Sequence, residues 1–127
     1  MSTVLVVEDS DLQREIIVEV LKEGGLDVLI AKNGAEALQK LTDKVPDLVI
    51  MDIVMPGMNG YELARHIRKD NRTKDLPLIM CSSKGEDFDR SWGLRQGADA
   101  YITKPFEPQD LLGTVRSLLK GNRNLSV

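Results

Sequence analysis

Cysteine is almost missing from this chain of 127 residues: Cys81 is the only one, so an internal disulfide is excluded and a reducing compartment is compatible. An excess of basic charge is missing too. Seventeen Lys and Arg face 20 Asp and Glu for a net −3, which removes bulk attraction to nucleic acid or to an anionic membrane. No apolar run approaches the ~18 residues of a membrane span. No basic region precedes the apolar start at Val4, so a secretory leader is not expected. Glycine patterns of the Walker and dinucleotide-binding types are absent. These absences point to a soluble cytoplasmic protein, and 42% hydrophobic with 29% charged residues fits one. At this length there is room for one core but not for two.

What is present is an alternation. Short apolar runs at 4–7, 28–31, 48–51, 78–81 and 100–102 are rich in β-branched residues and nearly continuous, as strands covered on both faces should be. Helical patterns lie between them. Leu12, Ile16, Ile17, Val20 and Leu21 form one apolar face that ends at Gly24-Gly25; Leu111, Leu112, Val115, Leu118 and Leu119 form the last, ending at Gly121. Ser10 with Gln13, Asn33 with Glu36 and Asn59 with Glu62 have the spacing of capping boxes at helix starts. Five strand–helix units in strict order predict an α/β sandwich around a parallel sheet. The fourth helix, near 86–96, is the weakest: Gly93 interrupts it, and Phe88 with Trp92 is its one clear i, i+4 apolar pair. Only residues 122–127 read as a loose tail.

Ligands of a doubly wound parallel sheet bind at the carboxyl ends of its strands. Glu8 and Asp9 follow the first run, Asp52 the third, Ser82 and Ser83 the fourth, and Thr103-Lys104-Pro105 the fifth. Three carboxylates gathered at one edge repel one another unless a cation joins them. A hard oxygen site with few carboxylates suits Mg²⁺. Three carboxylates, Lys104 and one Mg²⁺ sum to zero, so the metal and the lysine would offset the charge of an incoming phosphoryl group. Asp52 is then the candidate nucleophile.

With their flanks, these residues resemble the response-regulator receiver family of the chemotaxis-regulator type. The matching segments are Val4-Leu5-Val6-Val7-Glu8-Asp9-Ser10, the stretch from Asp47 to Gly60 that contains Met51-Asp52-Ile53-Val54-Met55-Pro56-Gly57, and Tyr101-Ile102-Thr103-Lys104-Pro105-Phe106. The resemblance implies a flavodoxin-like, doubly wound sheet in the order 2-1-3-4-5 with five helices, filling residues 1–121. It implies a phosphoryl group passed to Asp52 from a histidine kinase or phosphotransfer domain. Mg²⁺ would be bound by Glu8, Asp9, Asp52 and the backbone carbonyl of Val54. Ser82, Ser83 and Lys104 would contact phosphate, and the Lys104–Pro105 bond would be cis. Ser82 and Tyr101 fall at switch positions, with Tyr101 turning from exposed to buried on phosphorylation; the alternative is a static surface aromatic. Val54 and Lys84 flank the path of the hydrolytic water and would tune the lifetime of the phosphoryl group. More narrowly, Ser82-Ser83-Lys84-Gly85 and the segment from Trp92 to Ala98 look like single-domain regulators of pilus-based motility.

Several residues read as structural. Cys81 fits a small buried strand position, His66 a solvated helix face, Met55 and Met58 loop and core packing, and Gly57 and Gly60 backbone freedom after Pro56. Trp92 fits either the core or a partner surface. Two rival functions read less well. A phosphatase of the haloacid dehalogenase class needs a second acid where Val54 stands, and a flavin carrier needs a phosphate loop where Glu8 and Asp9 would repel one. The expected protein is a monomeric switch rather than an enzyme, without an output domain. Its signal would leave through an unidentified target protein at the face of the fourth helix, fifth strand and fifth helix, or it would serve as a phosphate sink.

Overall fold

The computed structural model describes residues 2–123. Its elements alternate without exception: β1 (Thr3–Val7), α1 (Asp11–Glu23), β2 (Asp27–Ala31), α2 (Gly34–Asp43), β3 (Leu48–Met51), α3 (Gly60–Lys69), β4 (Leu78–Ser82), α4 (Asp87–Arg95), β5 (Ala100–Thr103) and α5 (Pro108–Leu119). The strands form one parallel sheet in the order β2-β1-β3-β4-β5, which is the flavodoxin-like order.

The period-2 pleat sorts the apolar runs into two cores. Leu5, Val7, Val49, Met51, Leu78, Met80 and Tyr101 pack on the side of α2 and α3 with Ala37, Leu41, Leu63 and Ile67. Val4, Val6, Leu48, Ile50, Ile79, Cys81 and Ile102 pack on the other side with Ile17, Leu21, Leu111, Val115 and Leu118 from α1 and α5. Burial on both faces explains why β1, β3 and β4 read as unbroken apolar runs. β2 departs from that expectation. It is an edge strand with Asp27 and Ile30 exposed, so only Ala31 is fully covered.

α1 also buries less than its pattern suggests. Ile17, Val20 and Leu21 are inside, whereas Leu12 and Ile16 are 66% and 42% exposed. The first turns of α1 start at the carboxyl edge, where the sheet beneath them ends. The helix starts follow their capping signals. Ser10 and Asn33 accept from Gln13 N (3.3 Å) and Glu36 N (2.8 Å), and Asn59 with Glu62 forms a complete reciprocal box. The Glu36 carboxylate reaches one residue further back, to Lys32 N.

Asn122 and Arg123, where the sequence suggests a loose tail, are held. Asn122 N donates to Ser117 O (3.2 Å), and Arg123 reaches the Asp99 carboxylate and the Asp75 carbonyl, each at 2.7 Å. The rest of that tail, 124–127, lies outside the described residues. Among the described residues no helix is long and apolar enough to cross a membrane.

Candidate functional site

The sheet itself positions the charged residues. One step beyond each strand, the backbone ladder continues: Glu8 N donates to Ala31 O (3.0 Å), Asp52 N to Val7 O (3.0 Å) and Lys104 N to Ser82 O (2.9 Å). The side chains that follow β1, β3 and β5 are therefore carried on hydrogen-bonded backbone. They open into a cavity of about 560 Å³ at the carboxyl edge, lined by Glu8, Asp9, Asp52, Val54, Ser83 and Lys104 among others.

A carboxylate oxygen from each of Glu8, Asp9 and Asp52 lies within 4.8 Å of the other two. Glu8 is buried and Asp9 exposed, with Asp52 between. The Lys104 ammonium donates to Glu8 Oε1 and to Asp52 Oδ2, the latter at 3.2 Å. The second oxygens are also engaged: Glu8 Oε2 accepts from Ser10 N (3.2 Å) and Asp52 Oδ1 from Ile53 N (2.6 Å). Burial pushes the Glu8 carboxyl above its usual range, more than the Lys104 hydrogen bond lowers it, and the Asp52 charge pushes it further. Burial disfavours the Lys104 charge, but the Glu8 hydrogen bond and the Asp52 and Glu8 charges outweigh it and hold the ammonium protonated. Three clustered carboxylates with one ammonium leave a net negative oxygen site. That donor set fits a hard divalent cation of the Mg²⁺ kind.

The two serines divide. Ser83 is exposed and lines the cavity, whereas Ser82 is buried behind it beside Tyr101. Ser82 Oγ accepts from Lys84 N (3.3 Å), and the Tyr101 hydroxyl donates to Lys84 O. Burial pushes the Tyr101 phenol up to about 12, only partly offset by its hydrogen bond with Ser82, so it stays a donor near neutral pH. The ring is 1% exposed. A surface aromatic, or a ring that starts exposed, is thus not what the structure shows: Tyr101 already lies inward.

The structural readings are sharpened. Burial pushes the Cys81 thiol up to about 12, which disfavours the thiolate that redox chemistry uses. His66 is exposed. Phe88 and Trp92 stack on each other with centroids 6.2 Å apart, both facing solvent. Gly57 has φ +73, the backbone freedom expected after Pro56, but Gly60 serves close approach instead. A Cβ there would overlap the Asp52 carbonyl and lie 2.8 Å from Ile53 Cα. The Lys104–Pro105 bond is cis. Arg14 escaped the sequence reading: its guanidinium, 11% exposed, donates to the Glu8 carbonyl at 3.0 Å and pairs with Asp11. The i, i+3 spacing of Asp11 and Arg14 was the available signal.

A family model described as "Response regulator receiver domain" matches residues 4–116. The phosphate regulon transcriptional regulatory protein PhoB of Pseudomonas aeruginosa is 41% identical over 93% of this chain, and the chain spans about half, 52%, of that relative. Protein PilH of the same organism is 39% identical over 95% of this chain and 100% of its own length. The solved structure of Vibrio cholerae chemotaxis protein CheY4 superposes with a TM-score of 0.86 at 33% identity, covering 91% of this chain and 97% of that one.

Proposed function

This chain belongs to the response regulator receiver domain family, and from that premise we propose that it takes a phosphoryl group onto Asp52 and changes its affinity for a protein partner in motility or taxis signalling. The observation that carries the reading is the Lys104 ammonium held between Glu8 and Asp52 beside a third carboxylate. A carboxylate oxygen of Asp52 in that setting faces the cavity as a nucleophile would, and a positive group stands ready for phosphoryl oxygens. The similarity to a chemotaxis protein supports the taxis setting.

Glu8, Asp9 and Asp52 would hold Mg²⁺ together with the Val54 carbonyl, and the bound ion would supply positive charge against the phosphoryl oxygens. From a phosphohistidine donor, an Asp52 carboxylate oxygen forms the new P–O bond as the P–N bond breaks, and the electron pair leaves with the donor's nitrogen. Lys104 stabilises charge on the transferring group, and Ser83 offers a hydroxyl at the cavity wall. Ser82 would turn its hydroxyl hydrogen from Tyr101 to a phosphoryl oxygen. Tyr101 is inward beforehand, so the phosphoryl group would consolidate that position and, with it, the α4–β5–α5 surface that meets the partner.

Incubation with acetyl phosphate and Mg²⁺ should add one phosphoryl mass, read by intact-protein mass spectrometry. Asp52→Asn or EDTA should abolish it; equal labelling of Asp52→Asn refutes the assignment. Val54 lines the cavity and is 58% exposed, but it has no group to hold a water. Val54→Asn should therefore shorten the phosphoryl lifetime in the same assay, and an unchanged or longer lifetime removes Val54 from that role. Lys84, which is exposed, is assigned to shielding the phosphoryl group, and Lys84→Ala should likewise shorten its lifetime.

A further inference from the structure

Among the described residues of α4, the one that is buried is a glycine, Gly93. Its backbone is ordinary helix with no positive φ, so conformation does not require glycine there. Glycine also weakens a helix interior. Its neighbours supply the reason. A Cβ at this position would lie 2.9 Å from Met80 Sδ and 3.0 and 3.1 Å from Tyr101 Cδ2 and Cε2. Met80 is fully buried and an aromatic ring does not bend, so neither yields cheaply.

The helix has little room to retreat. Its carboxyl end is tied by Arg65 to Gln96 Oε1 (2.6 Å) and by Arg68 to Gly97 O (3.0 and 2.6 Å). On the same helical face the Arg90 guanidinium lies 5.4 Å from the Tyr101 ring centroid. The ring is seated between this face and the sheet, and its hydroxyl holds the Lys84 carbonyl in the β4–α4 connection.

We infer that Gly93 is a positioning residue for Tyr101: the side chain missing at this point of α4 is the seat that keeps the ring inward. With α4 held at its carboxyl end, a larger residue expels the ring and releases the Lys84 carbonyl. Asp52, Glu8 and Lys104 follow β3, β1 and β5, and their side-chain hydrogen bonds run to one another, to Ser10 and to Ile53 rather than to α4, so phosphoryl acceptance should survive the change. The link to signalling rests on the switch reading above; the seating of the ring does not.

The test uses the full chain with no phosphodonor. The two tyrosines are Tyr61 and Tyr101, so 3-fluorotyrosine in a Tyr61→Phe background reports on Tyr101 alone by ¹⁹F NMR. The parent should give one solvent-shielded signal, and Gly93→Ala should move most of the intensity to a signal broadened by a soluble paramagnet. An equally shielded ring in Gly93→Ala overturns the proposal. A thermal cycle guards against a general folding defect. Gly93→Ala should lower the melting midpoint more when Tyr101 is present than in a Tyr101→Ala background, where only the Met80 contact is left to oppose the gain in helix propensity. Equal shifts in the two backgrounds also overturn it. Acetyl phosphate labelling of Gly93→Ala at the parent level keeps this result separate from the phosphoacceptor assignment, which fails only if Asp52 takes no phosphoryl group.

Discussion

Two helices on the same face of the sheet are fastened to it in opposite ways. α3 starts in a complete capping box and buries Leu63, Ala64 and Ile67. α4 has no side-chain cap, and Gly93 is its buried residue among those described; its largest side chains, Phe88 and Trp92, stack outward on each other. The difference follows the work of the loops that precede them. The loop from Asp52 to Gly60 closes with Gly60 N donating to Ile53 O at 2.8 Å, so a firmly anchored α3 fixes the backbone of Asp52. The loop from Ser82 to Glu86 is held by hydroxyls, and hydroxyl partners exchange more easily than a packed core separates. The proposed acceptor Asp52 thus stands beside the firmly capped helix, and the proposed switch residues Ser82 and Tyr101 beside the one without a side-chain cap.

The largest contrast should appear when each helix loses its most prominent apolar side chain. Leu63 is fully buried, so Leu63→Ala should cost roughly 2–5 kcal/mol in urea unfolding. Phe88 is 68% exposed, so Phe88→Ala should stay within about 0.5 kcal/mol. Comparable losses at the two sites would break the comparison.

Much of this was legible in the sequence because the signals are local. The order of elements, the apolar runs that become β1, β3 and β4, and the cap at Asn59 depend on spacing alone. So did the gathering of Glu8, Asp9, Asp52 and Lys104, since strand ends in a parallel sheet share one edge. The misreadings arise where a residue's surroundings come from distant chain. The edge position of β2 leaves Ile30 exposed, and the overhang of α1 leaves Leu12 and Ile16 outside. The inward ring of Tyr101 depends on an absent side chain at Gly93, and an absence leaves no apolar pattern to read. Arg68, half-buried, donates to Gly97, Lys74, Leu76 and Asp99, contacts up to 31 residues away that no periodicity announces.

The smaller contrast lies at the helix starts, where each cap can be exchanged for the other's condition. Asn59→Ala removes the side chain that accepts from Glu62 N at 2.9 Å and should cost about 1 kcal/mol of global stability, because α3 unfolds with the core. At α4, Glu86 has the extended N-cap backbone (φ −68, ψ 152) with no side-chain bond. A serine there fits the geometry, and its hydroxyl would accept from Asp89 N. Losing the Glu86 charge weakens the match to the helix dipole by a few tenths of a kcal/mol, but Asp87 and Asp89 remain in the first turn. Glu86→Ser should therefore stabilise α4 by about 0.5 kcal/mol. If α4 opens separately from the rest, that gain slows amide exchange in residues 88–92 about twofold while the urea midpoint barely moves. A rise in global stability equal to the local gain would mean that α4 is bound into the same cooperative unit as α3, and the contrast between them would be one of packing without consequence for motion.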